Sequence, residues 1–93
     1  MRTLLLLSEK DNVLTCTNTI KKGELLDCAG STIRAVNDIP VYHKIARVFI
    51  PAKSEVYKYG EVIGTASGDI YPGEHVHIHN LESTRGRGDT GRI

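Results

Sequence analysis

Three of the four histidines in this chain fall within seven residues, Glu74-His75-Val76-His77-Ile78-His79-Asn80. In an extended strand alternate side chains share a face, which would put His75, His77 and His79 on one side and Val76 and Ile78 on the other. Imidazole can ligate iron, manganese or zinc, and its ordinary pKa also suits it to carry a proton or to meet a carboxylate near neutrality. Same-face neighbours on a strand stand roughly 6.5–7 Å apart. Two of them could therefore share an ion only with bending, or with a ligand from another element. The competing reading is an amphipathic strand whose imidazole face meets solvent or a subunit.

His43-Lys44 is a second candidate. Lys44 offers a compact cation for a substrate carboxylate, and His43 could act as acid or base if held beside it; the same dipeptide would equally suit a solvated turn. Lys58-Tyr59-Gly60 precedes an apolar run, where Gly60 suits a tight turn and Lys58 could bind an anion. Arg85, Arg87 and Arg92 lie on a glycine-rich tail, yet they are too few, and lack the interleaved aromatics, for a nucleic-acid segment.

The elements that would position these groups are strands. Helical periodicity is weak, and short apolar runs recur between Gly, Pro, Asn and Asp: 4–7, 13–17, 25–28, 33–36, 44–50, 55–58, 62–66 and 75–79. The turns between them share a form. Ile20-Lys21-Lys22-Gly23-Glu24 and Ile70-Tyr71-Pro72-Gly73-Glu74 both read I-x-x-G-E; Ile50 to Glu55 is a version one residue longer, and Ile39 to His43 is one without the glycine. Their irregular spacing marks recurring turns and not a solenoid.

With 93 residues the chain has room for one domain and one modest core, burying roughly 60–65% of its unfolded surface. One Phe and no Trp leave Val, Ile and Leu to build that core, which disfavours a deep aromatic pocket. A net charge of +1 supplies no field toward nucleic acid or an anionic membrane. Cys16 and Cys28 form no CxxC pair, and the four-leucine run near the start is too short for a leader or a membrane span. A cytoplasmic chain with reduced thiols is the expectation. Residues 1–82 are expected to form the domain, and 83–93 a flexible Gly/Arg-rich tail.

The segments His43-Lys44-Ile45-Ala46, Lys58 to Ala66, Gly73 to Leu81 and Arg85 to Asp89, with Asp11-Asn12-Val13 near the start, together resemble the SAF-type domain of altronate and galactarate dehydratases. The chain is also similar to the small subunit of sulfolactate sulfo-lyase. Two turns depart from the family pattern: Tyr42 stands where glycine usually precedes His43, and Lys53-Ser54-Glu55 replaces a Gly-Glu turn.

The resemblance implies a small all-β domain of the β-clip fold. It further implies a separately encoded small subunit that covers the active site of a large catalytic dehydratase subunit, in an enzyme that uses Fe2+ or Mn2+ on a sugar acid or hydroxy acid. Within that picture His43 and Lys44 are expected as catalytic residues, Lys58, His75 and Asn80 as substrate contacts, and His77 and His79 as metal ligands. The alternatives are a sulfolactate sulfo-lyase small subunit and a non-catalytic carbohydrate-binding or scaffolding SAF module. A homo-oligomer through exposed strand edges is a further expectation.

Overall fold

The computed structural model describes residues 2–28 and 30–83. It is all-β, as expected: among the described residues nine strands form three three-stranded sheets and there is no helix. The strands are β1 (Arg2–Leu4), β2 (Val13–Thr15), β3 (Leu25–Cys28), β4 (Ser31–Arg34), β5 (Lys44–Ala46), β6 (Glu55–Lys58), β7 (Glu61–Ala66), β8 (His75–Val76) and β9 (Leu81–Ser83). The sheets run β1-β3-β4, β2-β5-β8 and β6-β7-β9, with only β1 and β3 parallel. The architecture agrees with the β-clip expectation.

The recurring turn organises the chain more strictly than its sequence form indicates. Four times a small buried residue (Cys16, Ala35, Ala46, Ala66) is followed four positions later by a buried isoleucine (Ile20, Ile39, Ile50, Ile70). Three positions after each isoleucine the backbone turns with positive φ, at Gly23 (91°), Tyr42 (70°), Lys53 (72°) and Gly73 (92°). Each turn closes with a backbone bond, such as His43 N–H to the Pro40 carbonyl at 3.1 Å and Glu74 N–H to that of Tyr71 at 3.0 Å. Positive φ at the third turn position is the type II pattern, which favours glycine. Tyr42 and Lys53 therefore adopt the glycine geometry of the turns they replace.

The four units pair reciprocally. Ile20 and Ile39 exchange both backbone hydrogen bonds, as do Ile50 and Ile70. Gly23 N–H donates to the Ala35 carbonyl and Tyr42 N–H to that of Cys16; Lys53 N–H donates to Ala66 and Gly73 N–H to Ala46. Each pair has its own core. Cys16, Ile20, Ala35 and Ile39 join Leu4, Leu14, Leu26 and Ile45 in one; Ala46, Ile50, Ala66 and Ile70 join Val13, Val56 and Val76 in the other. The β2-β5-β8 sheet lies between them and feeds both, with Leu14 and Ile45 in the first and Val13, Ala46 and Val76 in the second. Burial on both faces explains why Val13-Leu14 and Ile45-Ala46 read as continuous apolar runs instead of alternating.

Several strand expectations need correction. The first strand is Arg2–Leu4, not 4–7: Leu4 is buried, but Leu5 and Leu7 are 75% and 64% exposed. The register sets Leu4 against Cys28, the last residue of β3. The 44–50 run is cut at Ala46 by the turn unit that follows. The 75–79 strand ends at Val76, and Ile78, expected beside Val76 on the face opposite the histidines, is 83% exposed where Val76 is buried. Residues 81–83 form the unanticipated β9 against β7, so Ser83 belongs to a strand; the rest of the expected tail, 84–93, lies outside the described residues.

Candidate functional site

His43 and His75 owe their positions to the turn units. His43 is the residue that completes its turn, four positions after Ile39; His75 begins β8, five positions after Ile70. Antiparallel pairing of β5 with β8 sets Lys44 against Val76 and Ile45 against His75. One further step of that register sets His43 against His77. The rings follow: the His43 and His77 centroids are 4.0 Å apart and stacked, His43 and His75 5.0 Å, and His75 and His77 5.6 Å.

Asn80 shapes the end of the strand. Its carboxamide oxygen accepts from His77 N–H at 3.0 Å and its amide donates to the His75 carbonyl at 2.9 Å, while Asn80 N–H donates to the His77 carbonyl at 3.1 Å. A short amide side chain that takes up neighbouring backbone groups competes with the sheet ladder and turns the chain. That turn swings the His77 ring toward His43. Both ends of the Asn80 amide are thus engaged with the backbone that carries the imidazoles.

Nδ1 of His43 and Nε2 of His75 stand 2.8 Å apart, a hydrogen bond in which one nitrogen carries the proton and the other accepts. One ligand nitrogen from each of His43, His75 and His77 falls within a set 4.8 Å across, and all three residues are partly exposed. Two nitrogens on one ion at about 2.0–2.1 Å would lie about 3.3 Å apart in tetrahedral geometry. The His43–His75 contact is about half an ångström shorter than that and the set as a whole extends to 4.8 Å, so an ion would need those two nitrogens to part slightly and the third imidazole to close in. Loss of hydration holds His75 and His77 below the usual imidazole pKa, helped for His75 by the charges of His43, His79, His77 and Lys44, and for His77 by those of His43, Lys44 and His79. Both are neutral near pH 7, the form that has a lone pair to give.

The set differs in membership from the expected His77 with His79. His79 is exposed and lies beyond the set, its ring 5.2 Å from that of His75. Lys44 is half-buried and follows His43 into β5; burial, then the charge of Lys58, lowers its pKa. Lys58 ends β6 with its ammonium 4.9 Å from the Tyr59 ring centre. Thr15, absent from the sequence reading, pairs directly with Lys44 across β2 and β5, and its buried Oγ1 finds no hydrogen-bond partner among the described residues. A hydroxyl inside an otherwise apolar strand was the available signal.

Residues 2–84 match the family described as the altronate/galactarate dehydratase SAF domain. The chain belongs to that family. It is 41% identical over 83 residues to an altronate dehydratase of Bacillus subtilis, covering 89% of this chain and 17% of that protein. A (2R)-sulfolactate sulfo-lyase subunit alpha of Paracoccus pantotrophus is 43% identical over 53 residues, 57% of this chain and 79% of the relative. An altronate dehydratase of Escherichia coli K12 is 36% identical over 73 residues, 78% of this chain and 15% of its own length. The SAF chain thus spans about a sixth of the altronate dehydratases it matches. Among the described residues no helix is long and apolar enough to cross a membrane.

Proposed function

We propose that this SAF chain is the small subunit of a metal-dependent lyase that removes water from a sugar acid, and that it covers the active site of a larger catalytic polypeptide. The observation that carries the reading is the meeting of His43, His75 and His77, drawn from two turn units 32 residues apart, on a partly exposed surface. Three imidazoles make an incomplete coordination sphere, the arrangement in which a catalytic ion keeps a position for substrate or for a ligand from a partner. Of the two expected ions, an all-imidazole set suits Fe2+ better than Mn2+, which prefers carboxylate oxygen. When bound, such an ion supplies Lewis-acid stabilisation of developing negative charge. The chain's own part is to hold the three nitrogens, with Asn80 fixing the turn that carries His77. His79, exposed beside His75, is our candidate for exchanging a proton with substrate or water.

A second reading rests on the alpha subunit of sulfolactate sulfo-lyase, a relative matched over 79% of its own length. There the leaving group would be sulfite instead of water. The two free buried thiols, Cys16 and Cys28, support a reducing compartment, and we assign the chain to the cytoplasm.

The test is reconstitution with the dehydratase-type polypeptide of the same genome, followed by sedimentation and by turnover of altronate, galactarate and sulfolactate. A stable complex whose altronate or galactarate turnover falls in His43→Ala and His77→Ala supports the proposal. Sulfolactate as the sole substrate supports the second reading. No complex and no change in turnover would leave a non-catalytic binding module and discard both.

A further inference from the structure

β8 is the outer strand of the β2-β5-β8 sheet and is only two residues long. Ala46 N–H donates to the Glu74 carbonyl at 2.9 Å. Bonded and non-bonded pairs alternate along an antiparallel ladder, so the next pair, Ile45 with His75, exchanges no hydrogen bonds. The backbone N–H and carbonyl of His75 therefore point away from β5, toward the open edge of the sheet. An open edge presents unpaired backbone groups. Here both are taken: the Asn80 amide donates to the carbonyl at 2.9 Å, and Oδ1 of Asn37 accepts from the N–H at 3.0 Å.

Asn37 comes from the connection between β4 and β5, the same connection that delivers His43. Backbone bonds hold that connection along its course. Val36 N–H donates to the Gly73 carbonyl at 2.8 Å, Ile39 exchanges both bonds with Ile20, and the His43 carbonyl accepts from Cys16 N–H at 2.8 Å. The Asn37 side chain thus ties the segment that carries His43 to the residue that carries the facing imidazole. It joins the same two segments as the 2.8 Å contact between His43 Nδ1 and His75 Nε2. One tie leaves a pivot; two at separate points fix how far one segment slides along the other. With β8 so short, the ladder alone gives little resistance to such a slide.

Capping a sheet edge can be a purely structural role, and Asn12 shows its form. Its carboxamide oxygen accepts from Tyr57 N–H at 2.8 Å and its amide donates to the Glu55 carbonyl at 3.0 Å, along β6, in a sheet whose strands hold no histidine. Asn37 differs in what it holds.

We propose that Asn37 is a positioning residue for the imidazole set, keeping His75 at the spacing from His43 at which their ring nitrogens meet. The proposal rests on the reading of that set as a metal centre, and it extends that reading to a residue outside the set. Asn37 touches none of the three rings in this role; it acts on the backbone from which the His75 ring projects. Its side chain is exposed, so its removal leaves both cores intact and costs little stability. The alignment of His75 with His43 is what its removal disturbs.

The experiment compares the full chain with its Asn37→Ala, Asn37→Asp and Asn12→Ala variants by two readouts. Long-range 1H–15N spectra of the histidine rings at pH 8, without metal, report which nitrogen of each ring carries the proton. Titration with Co2+, followed by its visible absorption, reports binding to the set. In the unsubstituted chain His43 Nδ1 and His75 Nε2 are expected to appear as one protonated and one accepting nitrogen. Asn37→Ala should return both rings toward the averaged shifts of free histidine and weaken Co2+ binding about three- to tenfold, with Tm little changed. Asn37→Asp keeps the accepting oxygen; it should retain the locked shifts and bind Co2+ at least as tightly as the unsubstituted chain. Asn12→Ala should lower Tm and leave both readouts in place. Ring shifts unchanged in Asn37→Ala, lost equally in Asn12→Ala, or already those of free histidine in the unsubstituted chain would overturn the proposal. Locked shifts that vanish in Asn37→Ala, in a chain that takes up no Co2+, would keep the positioning role and discard the metal centre. Co2+ bound equally by the unsubstituted chain and by Asn37→Ala would keep the metal centre and discard the role.

Discussion

Gly23 and Gly73 occupy the same position of two equivalent turns with nearly the same backbone angle, φ 91° and 92°. A methyl group added at Gly23 meets nothing within 4 Å, whereas at Gly73 it would stand 2.2 Å from the carbonyl oxygen of Arg34 and 3.3 Å from Val36 Cγ2. Gly23→Ala should therefore cost only the left-handed penalty, about 1–2 kcal/mol. Gly73→Ala carries the same penalty plus displacement of a backbone segment. Overpacking of that kind adds about 1–3 kcal/mol, for about 2–5 kcal/mol in all. Since 1 kcal/mol corresponds to about 4–8 °C in a domain near this size, the two variants should separate clearly in Tm. Urea unfolding followed by far-ultraviolet circular dichroism measures the difference. Because Gly73 lies two residues before His75, the more costly variant should also disturb the imidazole set. Equal losses of stability in the two variants would refute the claim that close approach, and not turn geometry alone, requires glycine at 73.

Lys53 adopts φ 72° in an exposed turn, so Lys53→Gly should stabilise the chain by a few tenths to about 1 kcal/mol, read from the urea midpoint. Burial raises the Cys16 thiol to about 11, with Cys28 shifted the same way. Both should resist Ellman's reagent at pH 8 in the folded chain and react at once in denaturant. The Lys21 backbone N–H, then the Arg2 side chain, hold the Glu24 carboxyl below its ordinary value of 4.5. A group whose pKa is lowered on folding contributes stability above its unfolded value and loses it on acidification. Glu24→Gln should accordingly flatten part of the stability loss below about pH 4.5, measured as Tm against pH.

Much of the fold was legible because the turn units carry strong local chemistry. An isoleucine, a residue with positive φ and a following strand recur at Ile20, Ile39, Ile50 and Ile70, and the departures at Tyr42 and Lys53 fall where positive φ is found. Their reciprocal pairing was not legible, since nothing local says that the turn at Tyr42 closes on Cys16 and that at Gly73 on Ala46. The constant four-residue spacing from small residue to isoleucine was the overlooked signal.

The site divides in the same way. Period-two alternation drew attention to His75, His77 and His79, but strand periodicity holds only while the strand continues, and β8 ends at Val76, after which Asn80 takes up the His77 N–H and carbonyl in a turn. An Asn three residues after His77 is a turn signal that competes with the strand pattern. The union of His43 with His75 across 32 residues is a product of tertiary pairing and leaves no mark in spacing. The place of Thr15 opposite Lys44 likewise depends on which strand lies beside β5.

X-ray absorption at the iron edge, on the full chain loaded anaerobically with one equivalent of Fe2+, is the most direct measurement of the proposed centre. Imidazole scattering from three nitrogens near 2.1 Å is expected, reduced by one in His43→Ala and unchanged in His79→Ala. An iron spectrum showing oxygen neighbours alone, or one that loses a nitrogen in His79→Ala but not in His43→Ala, would contradict it.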